Sequence, residues 1–373
     1  MPAYDAFLLL SFGGPEGPGD VLPFLENVTR GRGVPQERLA EVAEHYHAYG
    51  GVSPINAQNR ALLKSIGAAF AADGIDLPLY WGNRNWRPFL EDTVRRLKAD
   101  GVRRAIAFVT SAYSSYSACR QYLDDIDRAV AAAGPDAPRI DKLRPYFNHP
   151  GFVEPFAAAV ETALTGLPAA AQENARLVFT AHSVPVGMAA ASGSVSTGTA
   201  LPGAAGGRYA AELGEAARLI AQRVRGASLP YDLVFQSRSG PPSVPWLEPD
   251  VNDHLAALAK GTLTSGETVP VPSAVVVVPV GFVSDHMEVV HDQDVEAAET
   301  AAALGLPFAR AKAPGPTPRF ATMVSELVAE RLSGAEPQAL GGFGPRAYED
   351  SASADRAGGC PGDCCRYTPR RPA

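Results

Sequence analysis

Eight short apolar runs recur along the chain, at 6–12, 77–81, 105–110, 142–146, 177–181, 233–236, 274–280 and 308–311. Amphipathic helical patterns fill the intervals, at 35–48, 55–72, 86–99, 117–133, 152–164, 209–224 and 247–259. That alternation constrains the fold more than any other feature. A strand apolar at successive positions, such as Ala-Val-Val-Val-Val at 274–278, must be covered on both faces. The intervening helices supply the cover. The pattern predicts an α/β protein of two four-stranded parallel sheets with helices on both faces. His149-Pro150-Gly151 marks the boundary, giving domains at 1–148 and 149–316. A helix at 317–335 is expected to pack back on the first domain, followed by a cysteine-containing tail at 336–373.

With 373 residues the chain is long enough for two sizeable cores. A net charge of −7 without any block of Lys or Arg argues against nucleic acid and against a polybasic membrane patch. The start, Met1-Pro-Ala-Tyr-Asp, runs straight into a strand without the charged opening of a signal peptide. No apolar run approaches the roughly 20 residues that span a bilayer, so a cytoplasmic location is expected. Two segments lack periodicity. The stretch 189–207, of Gly, Ser, Thr and Ala, reads as a mobile loop close to the second domain's site. From Ser333 onward Gly, Ala, Pro and charge dominate, a composition expected to stay disordered unless a ligand orders it.

Chemistry concentrates after the run at 274–278, where the chain turns through Gly281 and enters a helical pattern at Ser284 or Asp285. Glu288, Asp292 and Glu296 recur there every four residues, close to one helical turn, so they form a row. Acids also favour the first turns of a solvated helix. The row, however, begins just past the carboxyl end of a buried strand, where open α/β sheets build their sites. A cation travelling along it would relieve the repulsion. His182 ends the apolar run at 177–181, and its near-neutral pKa suits proton abstraction or metal binding. A backbone carbonyl could equally satisfy it.

Gly13-Gly14 follows the first strand, but neither G-x-G-x-x-G nor Gly-Lys-Ser/Thr is present, so nucleotide binding is disfavoured. These glycines are read as letting backbone approach something flat and bulky. Ser53, after a second glycine turn, either caps the next helix or donates to a ligand carboxylate. Cys360, Cys364 and Cys365 place three thiolates within six residues, and Cys119 is the one other cysteine. In a polar tail they read as metal ligands, for zinc or an iron–sulfur cluster. Unliganded thiols are the alternative.

Five motifs carry a resemblance: Leu8-Leu-Leu-Ser-Phe-Gly-Gly-Pro, Tyr49-Gly-Gly-Val-Ser-Pro, Phe179-Thr-Ala-His-Ser-Val-Pro, Gln236-Ser-Arg-Ser-Gly with Pro245-Trp-Leu-Glu-Pro-Asp-Val, and Pro279-Val-Gly-Phe-Val-Ser-Asp-His-Met-Glu. Together they resemble the ferrochelatases, most closely the actinobacterial coproporphyrin III type with a C-terminal iron–sulfur cluster. The resemblance implies two Rossmann-like domains clasping a porphyrin (the chelatase fold), with Fe²⁺ as the second substrate. The activity implied is formation of Fe-coproporphyrin III in haem biosynthesis. Protoporphyrin IX as substrate, or a non-catalytic haem or porphyrin carrier, are the alternatives, and an iron–sulfur redox sensor is a further one.

The family's pocket pair falls on His182 and Glu288, with Asp292 and Glu296 on a helix locally widened toward the π form. All four are implied to contact metal. Ser53, Tyr122, Phe12 and Arg30 match or lie near positions that hold or flank the ring, and Trp246 matches a cleft wall. Phe12 stands where many relatives have a tyrosine, which removes a phenolate contact to iron. Arg30 is offset from the usual propionate-binding arginine, His45 replaces another arginine, and Asn85 replaces a histidine. The resemblance favours a [2Fe–2S] cluster on Cys360, Cys364 and Cys365, while Cys119 is the fourth ligand by arithmetic. Transient contact with neighbouring haem-pathway enzymes is also expected.

Overall fold

The computed structural model describes residues 4–31, 33–193, 207–225, 229–240, 243–343 and 364–368. The first sheet is built from β1 (Ala6–Ser11), β2 (Leu79–Asn83), β3 (Arg104–Val109) and β4 (Arg139–Lys142). The second is built from β5 (Ala175–His182), β6 (Tyr231–Gln236), β7 (Ala274–Val278) and β8 (Phe308–Arg310). Their orders are β2-β1-β3-β4 and β6-β5-β7-β8. Every pairing is parallel: Leu9 lies opposite Trp81 and Phe108, and Phe179 opposite Leu233 and Val278. β1 and β7 are buried at every residue, which is why each reads as a continuous apolar run.

Helices cover both faces: α1 (Val21–Val28), α2 (Gln36–His47), α3 (Ile55–Ala72), α4 (Leu90–Ala99) and α5 (Gln121–Ala133) around the first sheet. α6 (Pro150–Thr165), α7 (Ala169–Gln172), α8 (Val186–Ala190), α9 (Arg208–Ala221) and α10 (Val251–Leu258) follow. Next come α11 (Met287–Val289), a π-helix over Val290–Ala297, α12 (Ala298–Ala303) and α13 (Pro318–Ser333). One apolar cluster runs between the sheets, including Phe7, Phe108, Tyr146, Phe152, Phe179 and Phe320. α13 returns to α3, where the Ser65 hydroxyl donates to the Pro316 carbonyl at 3.1 Å and the Ser325 hydroxyl to Asp73 at 2.5 Å. Arg144 and Glu330 form a buried two-bonded pair at 2.8 and 2.9 Å that ties the same helix to the segment after β4.

Several expected elements differ in their bounds, among them the helix expected from Leu247, which begins at Val251, and the strand expected at 77–81, which lies at Leu79–Asn83; two show the reason. The fourth strand lies at Arg139–Lys142, before the apolar run at 142–146. Its Asp141 is held by Arg104 and Arg139 and accepts the Tyr4 hydroxyl at 2.9 Å, so ion pairs seat this edge strand. The apolar residues beyond it leave the sheet and enter the core, Tyr146 donating to the Val109 carbonyl at 2.9 Å. The helix expected from Trp86 begins at Leu90. Residues 84–89 form a loop closed by Asn83, whose backbone donates to the Pro88 carbonyl at 2.7 Å and whose side chain donates to the Arg87 carbonyl at 3.1 Å. The loop expected at 189–207 lies outside the described residues from 194 to 206, and its first residues end α8.

Candidate active site

In each sheet the strand order reverses beside one strand, β1 in the first and β5 in the second, and the crevice beyond their carboxyl ends is where such folds bind ligands. His182 is the last residue of β5. The chain leaving β7 crosses this point through Gly281, whose amide donates to the Thr180 carbonyl at 3.0 Å. A Cβ at Gly281 would come within 2.6 Å of the Ala181 Cβ, so only glycine lets the two strand exits cross so closely. The crossing carries Glu288 to His182: Nε2 and Oε2 are 3.8 Å apart. That is too long for a hydrogen bond, and with the side chains 31% and 47% exposed both face open space. His182 Nδ1 lies 2.5 Å from the Ser183 carbonyl, which can only accept. Nδ1 therefore carries a proton, and in the neutral form of the ring the lone pair is on Nε2, on the side of Glu288.

The acid row runs on from this pair along the π-helix. Asp292 accepts from the Ser237 hydroxyl and, at 3.2 Å, from Gln236 Nε2, which also donates to the Glu288 carbonyl at 2.9 Å. Gln236 ends β6, and Ser237 after it holds a left-handed φ of 61°, a strained conformation at the site. Gln293 locks the same corner by donating to Thr180 Oγ1 at 2.8 Å and to Gln236 Oε1 at 2.5 Å. Burial pushes the Asp292 carboxyl up to about 7, with the charges of Glu288 and Glu296 adding and the Ser237 and Gln236 bonds opposing. Glu296 lies 3.4 Å from His291 Nε2, and His291 stacks on His45 of α2 with ring centroids 4.1 Å apart. Burial, then the neighbouring His291, lower the His45 pKa. Among the described residues no set of three or more His, Cys, Asp and Glu side chains forms a closed metal cage. The arrangement is a row of carboxylates with an imidazole at its inner end.

The first sheet supplies the facing wall. Phe12, just past β1, packs edge-on to Phe24 with centroids 6.3 Å apart. Phe24 in turn meets Tyr46, whose phenol pKa is raised by burial and further by the charges of Glu288 and Asp292. Arg84 lies over the Tyr122 ring at 4.9 Å and near the Phe12 ring at 5.8 Å, paired to Asp125 at 2.7 Å. Ser53 is buried but does not cap α3, whose N-cap is Pro54. Arg30 stands exposed in the turn after α1, with Arg32 outside the described residues. The space beside Gly13 and Gly14 is filled by protein: added Cβ atoms would meet Asn83 at 2.8 Å and Ser53 at 2.7 Å. The glycines there serve packing within the first half, correcting the expectation that they admit a flat ligand.

Of the cysteines, Cys119 is buried in a π-turn, Tyr116–Arg120, that opens α5. The sulfurs of Cys364 and Cys365 are 3.5 Å apart. Cys360 lies outside the described residues. No helix among them is long and apolar enough to cross a membrane.

Sequence reasoning assigned no role to Tyr46, Arg84, Gln236, Ser237, His286, His291 or Gln293. Burial lowers the His286 pKa, with Glu288 acting against it and His182 in the same sense, and its ring packs edge-on to Phe282 with centroids 4.8 Å apart. Gln236 and Ser237 had a signal, since a polar Gln-Ser follows an apolar strand directly, and His286 lies within the motif that ends on Glu288; the others carry none without a third dimension.

A family profile described as Ferrochelatase matches residues 4–332. A coproporphyrin III ferrochelatase of Nocardia farcinica is 56% identical over 339 residues, covering 91% of this chain and 91% of the relative. Another, of Streptomyces griseus, is 51% identical over 381 residues, covering 99% of this chain and 95% of the relative. A ferrochelatase of Rhodopirellula baltica is 48% identical over 373 residues, covering 100% and 96%.

Proposed function

The chain belongs to the ferrochelatase family, and from that premise we propose that it inserts Fe²⁺ into coproporphyrin III, giving Fe-coproporphyrin III in haem synthesis. The observation that carries the proposal is the 3.8 Å approach of His182 Nε2 and Glu288 Oε2 at the switch-point crevice, with Asp292 and Glu296 leading away. Insertion releases two pyrrole N–H protons while hydrated iron sheds water, so the reaction needs a base and exchangeable metal ligands. His182, held with its Nε2 lone pair free, is our candidate base and first metal contact, and Glu288 its oxygen partner. Imidazole with carboxylate is a suitable set for Fe²⁺. An Asp292 carboxyl poised near neutrality supports a proton path, because it can take up and release a proton at little cost. Glu296 would stand at the outer end of that path. Phe12, Tyr122, Ser53 and Arg30 remain our candidates for contacts to the ring and its carboxylates.

We further propose that Cys119, Cys360, Cys364 and Cys365 hold a [2Fe–2S] cluster, with zinc as the alternative. The adjacent sulfurs of Cys364 and Cys365 support that donor set. The division of the chain at His149, a cytoplasmic location and transient contact with neighbouring enzymes of haem synthesis belong to the same reading.

Anaerobic turnover of Fe²⁺ with coproporphyrin III and with protoporphyrin IX tests the function. Faster metalation of coproporphyrin III is expected. Preference for protoporphyrin IX would reassign the substrate, and stoichiometric porphyrin binding without turnover would leave a carrier. An absorption spectrum of the purified protein decides between cluster and zinc.

A further inference from the structure

The described tail segment 364–368 lies where the two halves meet. Cys365 is 3% exposed, and the Tyr367 ring sits 6.5 Å from the Tyr116 ring, tilted by 59°. The Tyr367 ring edge is also 3.5 Å from where a Cβ on Gly187 would lie. Tyr116 opens the π-turn that follows β3 in the first half, whereas Gly187 belongs to α8, which begins four residues after His182 in the second. Beside them the Ser117 hydroxyl meets the Met188 sulfur at 3.7 Å, a weak polar contact between the same two elements.

α8 has five residues, far too few to hold a helix unaided, so its place depends on what packs on it. From its own half it is gripped by Gly207, whose added Cβ would strike the Ala189 carbonyl at 2.1 Å, and by Ser192, which accepts the Tyr209 amide at 2.9 Å. From outside that half, Tyr367 and the Ser117–Met188 contact press on it. His182 is held by bonds that do not pass through Tyr367, though Tyr209 serves both it and the end of α8. The His182 carbonyl accepts the Tyr209 hydroxyl at 3.0 Å, the Ser183 hydroxyl donates to the Leu247 carbonyl at 2.8 Å, and the Leu247 amide donates to the Val184 carbonyl at 3.0 Å.

We propose that Tyr367 is a positioning residue: it pins α8 against the Tyr116 turn and so steadies the segment that leaves β5 at His182, beside the crevice proposed to take the porphyrin. The inference rests on the proposed function for the identity of that ligand alone. Because none of the bonds that hold His182 passes through Tyr367, loss of the pin should loosen porphyrin binding and spare the chemical step.

Hydrogen exchange of the full-length protein, with steady-state metalation, tests this. In Tyr367→Ala the amides of Met188, Ala189 and Ala191 should exchange about tenfold faster, with the sheets unchanged. The KM for coproporphyrin III should rise about fivefold at unchanged kcat. Tyr367→Phe, which keeps the ring, should match wild type in both. Tyr116→Leu removes the opposing ring and carries the same expectation should the alanine variant fold poorly. Unchanged exchange at these amides, or acceleration spread evenly over both sheets, would overturn the assignment. A wild type without turnover would defeat the proposed function, yet the exchange result would still decide the pin.

Discussion

Replacing Asp292 with asparagine should make the metal-free protein more stable, in a way that depends on pH. Asp292 is a partly buried carboxyl between two other carboxylates, raised from 3.8 to about 7. At about 1.4 kcal/mol per pKa unit that corresponds to roughly 4 kcal/mol against the ionised form. Asp292 keeps some solvent contact, and screening reduces the figure to about 2 kcal/mol. A carboxyl raised on folding binds its proton more tightly in the native than in the unfolded state, so wild-type stability falls as pH rises from about 4 to about 7 and then levels. The asparagine amide cannot ionise, and its oxygen can still accept from Ser237 and Gln236. The Asp292→Asn variant should therefore match wild type at pH 4 and exceed it by about 2 kcal/mol at pH 8, roughly 4 °C in Tm. Thermal melts with chelator at both pH values measure this. A variant less stable at pH 8, or an advantage equal at both pH values, would refute the reading that the row stores electrostatic cost for function.

Other expectations follow from the same geometry. Gly281→Ala should cost about 2 kcal/mol in a urea melt, because its Cβ would press on Ala181 at 2.6 Å. Arg84→Met leaves Asp125 buried with only the exposed Arg128 as partner and should cost about 3 kcal/mol, whereas an exposed pair such as Arg38–Glu41 should cost under ~1 kcal/mol. His182→Ala should lower kcat by about 10²–10⁴-fold while porphyrin binding, followed by fluorescence quenching, persists.

The two parallel sheets were legible because β1 and β7, buried on both faces, leave unbroken apolar runs, and because His182 closes such a run. The acid row was legible from its four-residue spacing. β4 was misplaced because Arg139 and Asp141 are seated by ion pairs that no periodicity records. The approach of Tyr46 and His45 to the acid row was missed for a different reason: both lie in an ordinary amphipathic helix, α2, and gain meaning only when it is brought against that row. The Gly13-Gly14 turn misled in the opposite direction, since an intramolecular close approach and a ligand contact leave the same glycines in a sequence.

The most direct test is a crystal structure of the protein with metal-free coproporphyrin III bound. The proposed arrangement predicts a ring lying between the strand ends of the two sheets, with its central nitrogens facing His182 Nε2 and Glu288 within reach of the same centre. A porphyrin bound elsewhere, with His182 and Glu288 still facing solvent, would contradict it.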